Sequence, residues 1–444
     1  MPVVLDRIPF FSYAPAAFAI TDKGGIMNLL EEKLANFDPA VNEIIRDEMR
    51  RNEETINLIA SENYPPKSLM KAISSMLSGI YSEGYPGERW YRGLENIDRL
   101  ESLAIERAKT VFGAEHANVQ ALSGSAANIA AYLSLLKIGD RILSMEIDAG
   151  GHLSHGAKAN VVSRLFDIVQ YGVDPQTGLL DYDAIRKQAL ETKPKLIVCG
   201  ASAYPRIIDF ARFGQIARET GAFLMADISH IAGMVVTGEH PTPVPHCDIV
   251  TTTTHKTLRM TRGAIILCKA AHAEKVDRAV FPMLQGGPHQ SNIAAIAVGL
   301  KHLSAPEYRQ YIREVVQNAK ALSEALREQG AEIVTGGTDN HLLLLNLSKW
   351  NIDGETASVL LEEANLVVNK NKIPGDHGTA KKPSGIRLGT PAITSRGMKE
   401  PEIRRIARWV VEVVKHPGEK EIRDKVKADV VELCRRFPIY RMTY

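Results

Sequence analysis

Long apolar runs, paired cysteines and a surplus of charge are all missing from this 444-residue chain. Its four cysteines (Cys199, Cys247, Cys268, Cys434) show no CxxC spacing, which excludes the usual zinc frameworks and a disulfide scaffold and predicts a reducing, cytoplasmic setting. No apolar stretch approaches the roughly 18 residues needed to span a bilayer. With 54 basic and 52 acidic residues the formal net charge is only +2, which argues against a nucleic-acid binder. The basic clusters at Arg404–Arg405 and from Lys420 to Lys427 lie among acids and read as solvated helix faces. Internal repeats and low-complexity tracts are also lacking. What remains is ordinary for a folded protein: 45% hydrophobic and 24% charged residues, in a chain long enough for two to four domains.

The stretch 8–20, IPFFSYAPAAFAI, faintly resembles a signal peptide, but Asp6 spoils its basic region and Pro9 and Pro15 break its apolar run. Residues 1–26 are expected to be a disordered tail or an over-extended start, with helices over 27–56 forming an N-terminal arm (27–60). From about 100 to 270 short apolar runs alternate with helical patterns. The expected strands are 141–147, 195–200, 222–227, 248–254 and 264–268, with helices at 181–191 and 213–221. Such alternation predicts an α/β domain (61–302) with a mostly parallel central sheet flanked by helices. The run 264–268 follows 248–254 too closely for a crossover helix, so one antiparallel member is expected. Beyond 302, helices at 306–329 and 399–415 and strands near 331–335, 341–347 and 366–369 predict a smaller C-terminal α+β domain (303–444).

Ligands of open α/β sheets gather at the carboxyl ends of strands. Three such ends carry chemistry here: Ser202 and Tyr204; Asp227 and His230; and Thr253, His255 and Lys256. A lysine and an aspartate so placed meet the needs of pyridoxal phosphate. The lysine holds the aldehyde as an imine, and the carboxylate keeps the pyridine nitrogen protonated. Either residue alone reads more simply as an exposed cation or a helix cap. SGSAAN (123–128) opens a helix, so backbone N–H groups with Ser123 and Ser125 can cradle a phosphate, although serines there are usually just caps. QGGP (285–288) is a second glycine-rich turn. Arg387 offers a bidentate fork for an α-carboxylate, with pairing to an acidic side chain as the plainer reading. His152 and His155 have the spacing of a metal pair, but no third ligand is apparent, and no metal is expected.

Read in order, LIASENYP (58–65), YSEGYPGERWY (81–91), ANVQALSGSAAN (117–128), GGHLSHG (150–156), SAYPRIIDF (202–210), TTTTHKTLR (251–259), FPMLQGGP (281–288), GGTDNHL (336–342), VNKNKIP (368–374) and SGIRLGTPAIT (384–394) closely resemble serine hydroxymethyltransferase. This is a fold-type-I pyridoxal-phosphate family, and the resemblance spans nearly all of 27–444. It implies that Lys256 carries the cofactor, Asp227 faces its ring nitrogen and His152 stacks on the ring. Ser202 and His230 would flank its phenolic oxygen. Ser123, Gly124, Ser125 and His255 would hold the phosphate, and Ser61 and Arg387 the substrate carboxylate. Tyr81, Glu83, Tyr91 and Gly286 would enter the neighbouring subunit's site, which implies an obligate homodimer, with a tetramer left open. Glu83, supported by Tyr91 and Thr253, would move a proton near the hydroxymethyl group. Glu83, Tyr91, Leu153 and Asn371 match the family's folate contacts.

The implied reaction converts serine and tetrahydrofolate to glycine and the methylene carrier. The chain departs from the family after the lysine, where LRMTRGA replaces the usual LRGPRGG. Met260 and Thr261 stand for Gly-Pro and Ala264 for a glycine, so a different loop path beside the site is expected. Met283–Leu284 replaces a glycine-led pair, and Arg92 a common glycine. A folate-independent aldolase of β-hydroxy amino acids is the enzymatic alternative, against which Glu83, Tyr91 and Asn371 argue. A non-catalytic scaffold or RNA-binding protein is a third reading, against which stand Lys256, Asp227, Arg387 and the balanced charge.

Overall fold

The computed structural model describes residues 33–440, so the expectations for residues 1–26 and the first turns of the arm lie outside the described residues. The chain divides into two units, Met1–Arg51 and Asn52–Tyr444. In the first, the described residues form a short helix Leu34–Phe37 and most of α1 (Pro39–Glu54), none of whose residues is buried.

The second unit is built on a seven-stranded sheet. Its strands are β1 (His116–Asn118), β2 (Arg141–Met145), β3 (Asp167–Tyr171), β4 (Leu196–Cys199), β5 (Phe223–Asp227), β6 (Ile249–Thr253) and β7 (Ala264–Cys268). Their order is β1-β7-β6-β5-β4-β2-β3. The five strands from β3 to β6 pair in parallel, while β7 is antiparallel to both β6 and β1. The antiparallel member expected at 264–268 is therefore present. Side chains alternate between the two faces. Leu143, Ile197, Leu224, Val250 and Ile265 enter one apolar cluster, and their neighbours Ile142, Leu196, Met225, Ile249 and Ala264 enter another. With both faces covered, every residue of β4, β6 and β7 is buried, which explains their continuous apolar or threonine runs.

The covering helices include α2 (Glu95–Phe112), α3 (Gly124–Leu135), α4 (Tyr182–Thr192), α5 (Phe210–Thr220) and α6 (Gln290–Leu303). Local signals set their ends. Asp181 and Asp209 cap α4 and α5 by accepting backbone N–H bonds, and left-handed Gly113 and Gly221 terminate α2 and α5.

A second sheet has the order β8-β9-β11-β10, from β8 (Glu332–Ile333), β9 (Leu342–Asn346), β10 (Asn369–Asn371) and β11 (Gly385–Gly389). All its pairings are antiparallel. The helices α7 (Pro306–Glu328), α8 (Glu400–Lys415) and α9 (Lys420–Arg436) pack against it in a separate core with Leu343, Leu345, Ile386 and Trp409. Ile56–Asn57 pairs in parallel with Leu366–Val367 and joins this core through Ile56 and Leu58.

Candidate active site

Because β2, β4, β5 and β6 run in parallel, their carboxyl ends share one edge. The residues that follow them line a cleft of about 790 Å³. His152 follows β2, Ser202 follows β4, Asp227 ends β5, and Thr253, His255 and Lys256 end or follow β6. Gly200 lets the turn after β4 pass close against the end of β5. Its φ is +110°, and a Cβ there would lie 2.0 Å from the Asp227 carbonyl oxygen.

Asp227 is buried and accepts bonds at Oδ2 from Asn128 Nδ2 at 2.9 Å and His155 Nε2 at 3.0 Å. The Ser229 backbone N–H donates to its Oδ1 at 3.0 Å. Burial by itself raises this carboxyl, but the His155 hydrogen bond and the electrostatic attraction of His155 and Lys256 outweigh it and hold it well below the usual carboxylate range. The site thus keeps a fixed negative charge. Lys256 responds in the opposite sense: burial, against the pull of Asp227 and helped by Arg387 and Arg262, lowers its ammonium to about 8. A sizeable fraction is therefore the free amine near neutral pH, the form that attacks a carbonyl. His152 is pushed down to about 4, chiefly by burial, so its ring is neutral.

The third potential ligand that the sequence did not reveal beside His152 and His155 is Asp227, since donor atoms of the three lie within 4.8 Å of one another. His155 already spends Nε2 on Asp227, and His152 Nδ1 bonds Ser154 Oγ at 2.7 Å.

At the other end of the cleft, Ser123 caps α3 by accepting from the Ala126 N–H at 3.3 Å, and the first N–H groups of the helix face the cleft beside Ser125. Gly124 permits this approach, because a Cβ would meet Thr253 Cγ2 at 2.6 Å. Thr253 Oγ1 and His255 Nδ1 are buried with no hydrogen-bond partner. Burial, then Lys256 and Arg262, lowers His255 to about 3, so it too is neutral. A helix N-terminus, two orphaned polar atoms, a reactive amine and an ionised carboxylate fit the phosphate, aldehyde and pyridinium of pyridoxal phosphate.

Arg387 lies on the central strand β11, opposite Leu344 on one side and Asn369 on the other. Its Nε donates to Asn369 Oδ1 at 3.1 Å and its Nη1 to the Ser202 carbonyl at 2.7 Å. Among the described residues no carboxylate pairs with it, so the plainer reading of Arg387 as a partner for an acidic side chain does not hold. Burial lowers it to about 10, still a cation at neutral pH. A buried, half-satisfied guanidinium suits a ligand carboxylate. Ser61 and Leu153 line the same cleft.

Five residues expected at the site do not line this cleft: Tyr81, Glu83, Tyr91, Gly286 and Asn371. Four of them form a cluster of their own. Tyr81 and Tyr91 meet edge to face at 5.2 Å, and Glu83 Oε1 lies 3.4 Å from where a Gly286 Cβ would stand. Asn371 sits on the edge strand β10, donating to the Lys372 carbonyl at 2.6 Å. In the departing loop, Met260 is buried against Gly299 of α6, and Thr261 lines the cleft while its carbonyl accepts from Thr254 Oγ1 at 2.6 Å.

Sequence reasoning missed the supports. Asn128 bridges Asp227, Ser154 and Thr251, and Asn63 Nδ2 donates to the Lys256 carbonyl at 3.0 Å. Both stand in the segments SGSAAN and LIASENYP, yet a lone asparagine carries no signal of what it will bond. His341, behind His230, was equally silent.

A family model for serine hydroxymethyltransferase matches residues 34–410. The chain is 48% identical over 407 residues to a serine hydroxymethyltransferase of Dehalococcoides mccartyi, covering 91% of this chain and 98% of that one. It is 49% identical over 418 residues to the serine hydroxymethyltransferase of Desulfotalea psychrophila, covering 94% and 97%. A match of this extent places the chain in the serine hydroxymethyltransferase family.

Proposed function

We propose that this chain carries the hydroxymethyl group of serine to tetrahydrofolate, giving glycine and 5,10-methylenetetrahydrofolate, with pyridoxal phosphate held on Lys256. The observation that carries this reading is the pairing of a buried, partly neutral Lys256 with an ionised Asp227 at adjacent strand ends, faced by Arg387 without an acidic partner. When bound, pyridoxal phosphate supplies an electron sink for the Cα–Cβ bond of serine.

The chain's own residues do the rest. Lys256 Nζ anchors the cofactor, Asp227 keeps a proton on its ring nitrogen, and His152 covers a ring face. Ser123, Gly124, Ser125 and His255 hold the phosphate; Ser202 and His230 hold the phenolic side. Arg387 and Ser61 clamp the substrate carboxylate, which orients serine so that its hydroxymethyl group alone is activated. Glu83, with Tyr91 and Thr253, moves the proton of the hydroxymethyl oxygen, and Glu83, Tyr91, Leu153 and Asn371 contact folate. In this reading Tyr81, Glu83, Tyr91 and Gly286 serve a second copy's cleft, so the working form is a homodimer. Support for that comes from their separation from this chain's cleft and from the exposure of Tyr81 (59%), Trp90 (75%) and Met283 (56%) around them.

We read the large domain as ending near residue 302. A cytoplasmic location accords with four free, buried cysteines; no helix of the described residues is long and apolar enough to cross a membrane. The test is glycine release from serine by the pyridoxal-loaded protein, with and without tetrahydrofolate. Strong dependence on the carrier is expected; equal rates would leave a folate-independent aldolase.

A further inference from the structure

Glu83 stands just before the hairpin Gly84–Tyr85/Glu88–Arg89, on a backbone gripped from both sides. Arg89 Nη1 donates to the Ser82 carbonyl at 2.8 Å and to the Gly84 carbonyl at 2.7 Å. Gln120 Nε2 adds a bond to the Gly84 carbonyl at 3.0 Å, and the Trp90 N–H donates to the Glu83 carbonyl at 3.1 Å. Gln290 Nε2 donates to Ser82 Oγ at 2.9 Å. The Glu83 carboxylate, by contrast, has no hydrogen bond or ion pair of its own among the described residues.

The three side chains that grip this backbone converge on one acceptor. Glu101 of α2 is fully buried, and its Oε2 accepts from Arg89 Nη2 at 2.6 Å and Gln290 Nε2 at 3.2 Å. Its Oε1 accepts from Gln120 Nε2 at 2.7 Å. Gln120 follows β1 and Gln290 opens α6, so segments far apart in the chain meet at this carboxylate. Ser82, Gln120 and Gln290 are all buried with it. Away from water such bonds strengthen one another, and each one lost strands a partner. A buried ion pair adds little stability that apolar side chains of equal volume could not supply. What apolar side chains cannot do is hold the two peptide carbonyls that flank Glu83. With those fixed, the Cα–Cβ bond of Glu83 has one direction, and only its side-chain torsions remain free.

We propose that Glu101 is a positioning residue: through Arg89, Gln120 and Gln290 it fixes the backbone around Glu83 and so aims that carboxylate at the hydroxymethyl group of bound serine. The inference rests on the reading of Glu83 as the group that moves the proton there. Glu101 and its three partners do not line the cleft, so they leave the hold of Arg387 and Ser61 on the substrate untouched. A disturbed Glu101 therefore lowers kcat and spares KM for serine.

The experiment compares E101Q with the parent, both full-length and loaded with pyridoxal phosphate. Glutamine keeps the volume but turns an NH2 group toward the three donors. With serine and tetrahydrofolate, kcat should fall about tenfold, the scale of a small misplacement, while KM for serine holds. Amide hydrogen exchange in the segment 82–91 should quicken. In an E83D background, whose shorter carboxylate is already displaced, adding E101Q should cost little more, because the two changes act through one path. R89M/E101L covers a failure of E101Q to fold: its urea midpoint should return near the parent's while its kcat stays low. An unchanged kcat or unchanged exchange in folded E101Q overturns the proposal. So does an equal loss in the parent and E83D backgrounds, or a kcat that returns with stability in R89M/E101L. Parent-like turnover in E83Q would instead remove Glu83 from the proposed function, and the exchange rates would still report whether Glu101 holds its backbone.

Discussion

At the scale of single residues, burying Lys256 has a consequence for stability. Its folded value of about 8 lies below the ordinary 10.5. Between those values the unfolded chain binds more protons than the native one, so stability contributed through this group rises with pH across that window. At neutral pH the buried ammonium costs on the order of 3 kcal/mol. The pyridoxal-free K256M variant should therefore unfold at higher urea than the parent at pH 7, and the gap should close as pH approaches 10.5. Equal midpoints at pH 7 would show that Lys256 is not so perturbed.

Asp227 works in the other direction. Its carboxyl is depressed, so its stabilisation is complete above the ordinary carboxylate value of about 3.9 and fades as pH falls below it. D227N should have a shallower acid limb in a pH titration of unfolding. Much of this was legible in the sequence, because a lysine and an aspartate at strand ends have few innocent explanations together. Asn128 and Asn63 were not, because their meaning lies wholly in partners far along the chain: Asp227 and the Lys256 carbonyl. For the same reason, that Arg387 has no acidic partner became visible only once β10 and β11 were paired.

Among the elements, the strongly patterned ones were the readable ones. The parallel strands β4 to β6 announce themselves through unbroken apolar or β-branched runs that both covered faces demand. Three-residue β1 and the edge strand β3, with its mixed exposure, carry no such pattern and went unread. So did β11, whose glycines at both ends weaken any strand signal although all five residues are buried. The hairpin Gly84–Tyr85/Glu88–Arg89, between Glu83 and Tyr91, is held by an ion pair that periodicity cannot show. Arg89 Nη2 contacts the fully buried Glu101 at 2.6 Å and its Nε contacts Asp98 at 2.8 Å. Replacing Arg89 by Met strands the Glu101 charge and should cost about 3–5 kcal/mol in urea unfolding, with R89M/E101L recovering most of it. Full stability in R89M alone would remove the hairpin's anchor from the account.

Across the whole molecule, the residues expected to act on folate fall into three places: Leu153 in the cleft, Asn371 on the edge strand β10, and Glu83 and Tyr91 in the separate cluster with Gly286. If that cluster serves a second copy, K256A and E83Q, each inactive alone, should complement when refolded together, restoring about a quarter of the sites by random pairing. No recovery in a mixture that has formed mixed dimers would put Glu83 in its own chain's site or outside catalysis. The role of the cluster could be read only from resemblance, since composition and periodicity are silent about a neighbouring copy.

The central claim is that Lys256 is the point of attachment for pyridoxal phosphate, and borohydride reduction of the loaded protein followed by peptide mapping tests it most directly. A single stable pyridoxyl adduct on Lys256, absent from K256A, is the predicted result. An adduct on a different lysine, or none with the visible absorbance of the cofactor present, would contradict the account.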